Sequence, residues 1–212
     1  MSKVILIMGE SGSGKTTSLR NLPPKQTLYL DADGKGLSWR GWRKQYNRAE
    51  KNYAAMQDPK DILCMMEKAR DADRIKYIVI DTINGVMLES EMSRINEKGY
   101  GKWSDLAGDV YDIVQMTNRM RDDQTVIILG HSETITQDDG YMFTRLKTNG
   151  RKLEKIVLES KFNIVLHAVQ KEQTYVLKTR GMNTTAKTPM GMFDTDEIEN
   201  DIMIVLKAME DY

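Results

Sequence analysis

Residues 9–16 read Gly-Glu-Ser-Gly-Ser-Gly-Lys-Thr and fit the pattern G-x-x-x-x-G-K-[ST] without a mismatch. The chemistry such a stretch can do is to hold a polyphosphate. Gly9, Gly12 and Gly14 let the backbone curl, so that successive N–H groups point at one anion. The cradle runs through Gly9, Glu10, Ser11, Gly12, Ser13, Gly14, Lys15, Thr16 and Thr17. Lys15 can reach the β- and γ-phosphates of a bound triphosphate, and the Thr16 hydroxyl can hold Mg2+.

A second set of groups belongs with the first. Tyr77-Ile-Val-Ile-Asp81 is an apolar run ending in a carboxylate, placed to complete the Mg2+ shell. Thr82 stands next to it, suited to assist a metal-bound water. Hydrolysis also needs a group that orients water. Glu89 and Glu91 lie a helix turn or more from Asp81, whereas Asp31 and Asp33, in Tyr29-Leu-Asp-Ala-Asp33, end another apolar run. Spacing alone leaves open whether these two act on water or cap a turn before Gly34 and Gly36. His131 closes the run 126–130, where it either faces the terminal phosphate or is an ordinary strand-end histidine.

These residues need a scaffold that brings strand ends together. Residues 3–8 form a continuous apolar run, as a parallel strand buried on both faces should. Similar runs at 27–31, 77–81 and 125–130 alternate with helical stretches at 59–72, 85–96 and 104–121, which predicts a mostly parallel α/β sheet flanked by helices. Thr17 to Leu22 can carry one or two helical turns before Pro23-Pro24, and the positive end of that helix would favour an anion. Asp58-Pro59 reads as a helix start. Beyond residue 130 the pattern changes. Residues 133–137 and 141–146 flank Asp138-Asp139-Gly140, and 163–169 and 173–178 flank Gln170-Lys-Glu172; both are hairpin signals, the second at an antiparallel edge. The spacing predicts a helix over 149–160, a polar loop over 181–191, and a last helix capped by Asp194 and running to about residue 209.

At 212 residues the chain is expected to be one domain, residues 1–212. Lysine plus arginine equals aspartate plus glutamate, 31 of each, so nucleic-acid binding must come from local clusters. One cysteine excludes an internal disulfide and a cysteine-rich zinc site. Cys64 is expected in a helix core, and the fifteen methionines are read as core filler. No apolar run is long enough to span a bilayer, and no signal peptide precedes the first strand. The expectation is a cytoplasmic protein with no membrane partner.

Three segments are candidates for contact with a single strand; the first and third interleave basic and aromatic residues, as a stacking groove needs, and the second is a basic cluster alone. Trp39, Arg40, Trp42, Arg43, Lys44, Tyr46, Arg48, Lys51 and Tyr53 form one; the alternative is a helix whose tryptophans pack inward, or a subunit interface. Arg145, Lys147, Arg151, Lys152 and Lys155 form a second, and Lys98-Gly-Tyr-Gly-Lys102-Trp103 a third.

In this order the residues resemble the RecA-type ATPase core, and most of all the small phage-encoded RecA-like single-strand annealing proteins, which belong among the phage nucleotide-binding AAA-type ATPases. The resemblance covers nearly the whole chain. It implies a P-loop NTPase fold with a RecA-like core and antiparallel C-terminal hairpin strands, with ATP and Mg2+ as cofactors. Tyr29-Leu-Asp-Ala-Asp33 matches the family's run that ends in a water-activating glutamate, with Asp33 in its place. Asp81 falls on the Mg2+ aspartate, and His131 on a glutamine that senses the terminal phosphate. Residues 132–148 fall on a mobile DNA-binding loop, and Lys102 lies in a segment placed like the other one. Lys178 and Arg180 fall on basic residues that reach a neighbouring subunit's nucleotide. The implied partners are single-stranded DNA, further copies of the chain in a ring or filament, and a single-strand-binding protein, in a bacterial host's cytoplasm. The implied function is ATP-dependent strand annealing or recombination, by an ATPase slowed by Asp33's shorter reach. An ATPase motor or helicase-loader of the same core is the alternative. A guanine-reading Asn-Lys-x-Asp and a transporter Leu-Ser-Gly-Gly-Gln are both absent.

Overall fold

The computed structural model describes residues 3–99, 101–150, 153 and 155–210. Its centre is a sheet built from β1 (Lys3–Gly9), β2 (Thr27–Asp31), β3 (Tyr53–Ala55), β4 (Tyr77–Asp81), β5 (Thr125–Thr136), β6 (Met142–Leu146), β7 (Ile164–Lys171), β8 (Thr174–Lys178) and β9 (Glu197–Glu199). The order is β3-β2-β4-β5-β1-β7-β8-β9, with β6 on β5. Strands from β3 to β7 run parallel, while β8, β9 and β6 are antiparallel additions.

Alternate residues of the parallel strands enter two separate cores. Leu6, Met8, Leu30, Ile80 and Ile128 face one side, packed with α2 (Pro59–Arg70), α3 (Ile83–Ser93) and α4 (Gly101–Met116). Ile5, Ile7, Tyr29, Val79 and Leu129 face the other, packed with Leu19, Leu22, the short α1 (Trp42–Gln45) and α5 (Ile202–Glu210). Each such Leu or Ile, fully buried, contributes about 1.5–3 kcal/mol. The register is therefore strongly specified, since a slip of one residue would exchange the two faces.

That register aligns the strand ends that matter. Asp31 pairs with Asp81, Asp81 with Leu129, and Gly9 with His131. All lie at the carboxyl edge, where open parallel sheets bind ligands.

Several expectations hold and several are corrected. Asp58 accepts from the N–H groups of Lys60 and Asp61 and starts α2, with Pro59 first. Both hairpins form, but β5 runs unbroken from the core into the first of them. Of the helix expected over 149–160, Leu153 is helical, 155 is turn and 156 bend, and Leu158–Lys161 is a single 3-10 turn, while 151, 152 and 154 lie outside the described residues. Leu153, Leu158 and Phe162 are buried there by contact with the core, not by helical period. Asp194 caps no helix; its carbonyl accepts from Arg180, β9 follows, and Asp201 supplies the carboxylate at the start of α5. Cys64 is exposed on α2 and is not core. Met182 and Met190 are also exposed, so the methionines are not all filler. Of the segment 37–53 only α1 is helical, and Trp39 and Trp42 pack against the second core beside Tyr46 and Tyr53. The inward-packing alternative holds for these tryptophans. Among the described residues no helix is long and apolar enough to cross a membrane.

Candidate nucleotide site

The loop after β1 curls as its glycines require. Gly12 and Gly14 sit at φ +80° and +91°, where a side chain is strained. Gly9 is needed for closeness: a Cβ there would lie 2.6 Å from the Ala168 carbonyl of β7. The chain then turns helically from Gly14 to Leu22, with Ser18 N–H donating to Gly14 and Leu22 N–H to Leu19. Only Thr17–Leu19 forms a regular 3-10 turn, so the dipole expected from a full helix is confined to one turn.

Lys15 is 6 % exposed, and its ammonium donates to the carbonyls of Gly9 (2.8 Å) and Glu10 (2.7 Å). Burial, helped by Lys35 nearby, lowers its pKa to about 8. A buried cation that its surroundings discourage is one that an anion would favour strongly.

Thr16 and Asp81 meet as the sequence predicts, the hydroxyl donating to Asp81 Oδ2 at 2.8 Å. Tyr29 donates to the same oxygen at 2.6 Å. Asp81 is 1 % exposed, and its Oδ1 is buried with no hydrogen-bond partner. Burial pushes its carboxyl above the usual range, against the lowering effect of the Tyr29 and Thr16 hydrogen bonds. A hydroxyl beside a carboxylate with one idle oxygen fits Mg2+, which prefers hard oxygen ligands. Among the described residues no cluster of three acids, histidines or cysteines occurs, so the ion's remaining ligands would be nucleotide and water oxygens.

The two aspartates of the β2 edge divide their roles. Asp31 accepts from the N–H groups of Gly34 (2.9 Å) and Gly36 (2.7 Å) and from the Tyr53 hydroxyl (2.7 Å), so it caps the turn. Asp33 accepts from Thr82 (2.8 Å) and pairs with Lys35 (2.5 Å). Burial raises its pKa, but those two hydrogen bonds outweigh it and leave it below the usual value. Thr82 thus holds Asp33, and also caps α3 by accepting from Gly85 N–H.

His131 is half-buried and shares a chamber of about 380 Å³ with Lys15, Thr16, Lys35, Ser38 and Tyr175. Burial first, then Lys15, lowers its pKa, which favours the neutral ring. The His131 backbone N–H donates to Asn84 Oδ1 at 2.7 Å. Asn84 in turn donates to the Lys147 carbonyl, and Lys147 N–H donates to the His131 carbonyl at 2.7 Å.

The remaining predicted residues lie elsewhere. Lys178 lines a larger cleft of about 470 Å³ that shares Ser11 and Gly12 with the chamber and also takes in Glu10 and His167. The larger cleft is not the one that holds Lys15 and Thr16. Arg180 is tied to Asp196 and to the carbonyls of Phe193 and Asp194. Arg145 pairs with Glu133 across the β5–β6 ribbon, and Lys147 is exposed. Lys102 lies over the Trp103 ring, and a Cβ at Gly150 would meet that ring at 2.9 Å. The start of α4 and the turn after β6 are therefore neighbours. Arg151 and Lys152 lie outside the described residues.

Lys35, Tyr29, Asn84 and Tyr175 were not predicted for this site. The alternation Gly34-Lys35-Gly36 was the one local signal for Lys35; the other three act through contacts across the sheet edge. The sequence model of the AAA domain family matches residues 1–191. No curated protein matches the chain.

Proposed function

The chain belongs to the AAA domain family, whose P-loop domains bind nucleotide and hydrolyse ATP, and from that premise we propose that it is a slow, Mg2+-dependent RecA-like ATPase that binds single-stranded DNA and promotes strand annealing. ATP is the ligand of residues 9–17, Thr16 and Asp81 hold Mg2+, and Asp33 orients the water. Mg2+ supplies charge neutralisation at the phosphates, while the chain's own part is to bind, orient and accept a proton. His131 senses the terminal phosphate, and copies of the chain assemble around the nucleotide.

The observation that carries the DNA part of the reading is the backbone bond from Lys147 N–H to the His131 carbonyl, with the Asn84 side chain bridging the backbones of both residues. It joins the phosphate chamber to the exposed Lys147, and the Trp103–Gly150 contact brings Lys102's segment to the same side. Basic and aromatic groups then flank the first hairpin, as stacking and phosphate contacts require.

The test is annealing of complementary oligonucleotides with and without ATP. Annealing that ATP accelerates, and that weakens steeply with salt, is the expected result. No binding of a long single strand at low salt, in either nucleotide condition, overturns the reading.

A further inference from the structure

We propose that Lys35 is a second phosphate-binding cation of the chamber, which takes the terminal phosphate of a nucleoside triphosphate and so releases Asp33 to hold the attacking water. The proposal rests on the reading of residues 9–17 as a nucleotide site, and adds to it a residue that tells triphosphate from diphosphate.

Three observations meet here. Lys35 shares the chamber with Lys15, Thr16 and His131, so it lies where the outer phosphates of a nucleotide on the loop would extend. It is presented by a built mount. Gly34 and Gly36 both adopt left-handed backbone (φ +66° and +80°), and their N–H groups both donate to the buried Asp31. Tyr53 holds the same carboxylate from β3, and Trp42 closes over Gly36, where a Cβ would meet its ring at 2.7 Å. A lysine at the tip of a turn fixed at both ends has its backbone placed, while its half-exposed side chain is held only at its ammonium. Its partner is the third observation: the ammonium sits on Asp33 Oδ2, while Thr82 holds Oδ1.

With both oxygens engaged, Asp33 is poorly placed to accept a proton from water. A terminal phosphate carries more negative charge than one carboxylate and lies between two lysines, so it competes for Lys35. When Lys35 moves to it, Asp33 Oδ2 is left facing the chamber while Thr82 keeps the carboxyl oriented. The water oxygen then bonds to the terminal phosphorus, the bond from that phosphorus to the bridging oxygen breaks, and ADP leaves with the bridging electron pair. The water's proton passes to Asp33 and from there to the released phosphate. A diphosphate does not reach Lys35, so the pair with Asp33 stays closed.

The test is calorimetric titration of the whole protein with AMP-PNP and with ADP in Mg2+, for the unmodified chain, Lys35→Ala, Lys35→Arg and Asp33→Asn. Lys35→Ala is expected to weaken AMP-PNP about tenfold or more, about 1.4 kcal/mol, while ADP changes less than about twofold. Lys35→Arg should restore most of the AMP-PNP affinity. Asp33→Asn should keep it, because the competing carboxylate charge is gone, while phosphate release from ATP falls. An AMP-PNP to ADP ratio unaltered by Lys35→Ala overturns the proposal and leaves the loop intact as a nucleotide site. Equal loss of both nucleotides with a lowered melting temperature overturns it too, by making Lys35 structural. An unmodified chain that binds neither nucleotide overturns the underlying site as well.

Discussion

Two glycine turns stand at the same edge of the sheet, and they treat their backbone N–H groups in opposite ways. In the loop 9–16, Gly12 and Gly14 curl the chain, and among the described residues the N–H groups of Gly12, Gly14, Lys15 and Thr16 have no protein acceptor. In the turn 31–36, Gly34 and Gly36 curl the chain in the same left-handed way, but Asp31 accepts both N–H groups. The first turn awaits an anion from outside. The second carries its own anion, so its shape is complete before any ligand arrives. Two nests of similar chemistry thus yield a binding site in one case and a rigid mount in the other.

The contrast can be broken most directly at Lys15. Lys15→Ala should lower triphosphate affinity at least about a hundredfold, since it removes charge-assisted contacts worth about 3 kcal/mol. It should leave stability unchanged or raised, because the fold buries this cation at a cost. Calorimetry and urea unfolding on one preparation check both halves; a large loss of stability would make Lys15 part of the framework.

Asp31→Ala should do the reverse. It strands two N–H groups and a tyrosine hydroxyl, and a loss of about 2–3 kcal/mol in urea unfolding is expected. ADP affinity should survive. If ADP binding falls as far as with Lys15→Ala, the two turns are not independent.

The smallest effect is with pH. Lys15 has a pKa of about 8, pulled down from 10.5 by burial. A bound triphosphate favours the charged ammonium and raises that pKa again. Affinity should therefore be full below about pH 8 and fall as pH rises through it. An affinity constant between pH 7 and 9.5 would mean that the ammonium does not lose its proton in that range.

The phosphate loop and Asp81 were legible because each follows a short apolar run that can only be a buried strand, and because the loop's spacing is dictated by its ligand. The division between Asp31 and Asp33 was not. It is decided by Tyr53, on a three-residue strand far along the chain, and by Lys35, whose partner lies across a turn. The region 149–160 misled for a related reason. Leu158 and Phe162 are buried against the core, but Glu159 is drawn to the Leu146 N–H and the Thr185 hydroxyl, and the chain follows those contacts. Asp194 and Asp201 are equally good helix starters by type; the pairing of β9 with β8 settles the choice for Asp201.

Cys64 is the chain's single cysteine, and it lies exposed on α2, in the helix layer and not among Lys15, Asp33, Lys35 and Asp81. A maleimide dye will therefore attach at one position without the removal of any other thiol. Donor-labelled and acceptor-labelled copies, mixed with and without ATP, would report assembly by energy transfer, on a protein whose nucleotide chamber carries no label.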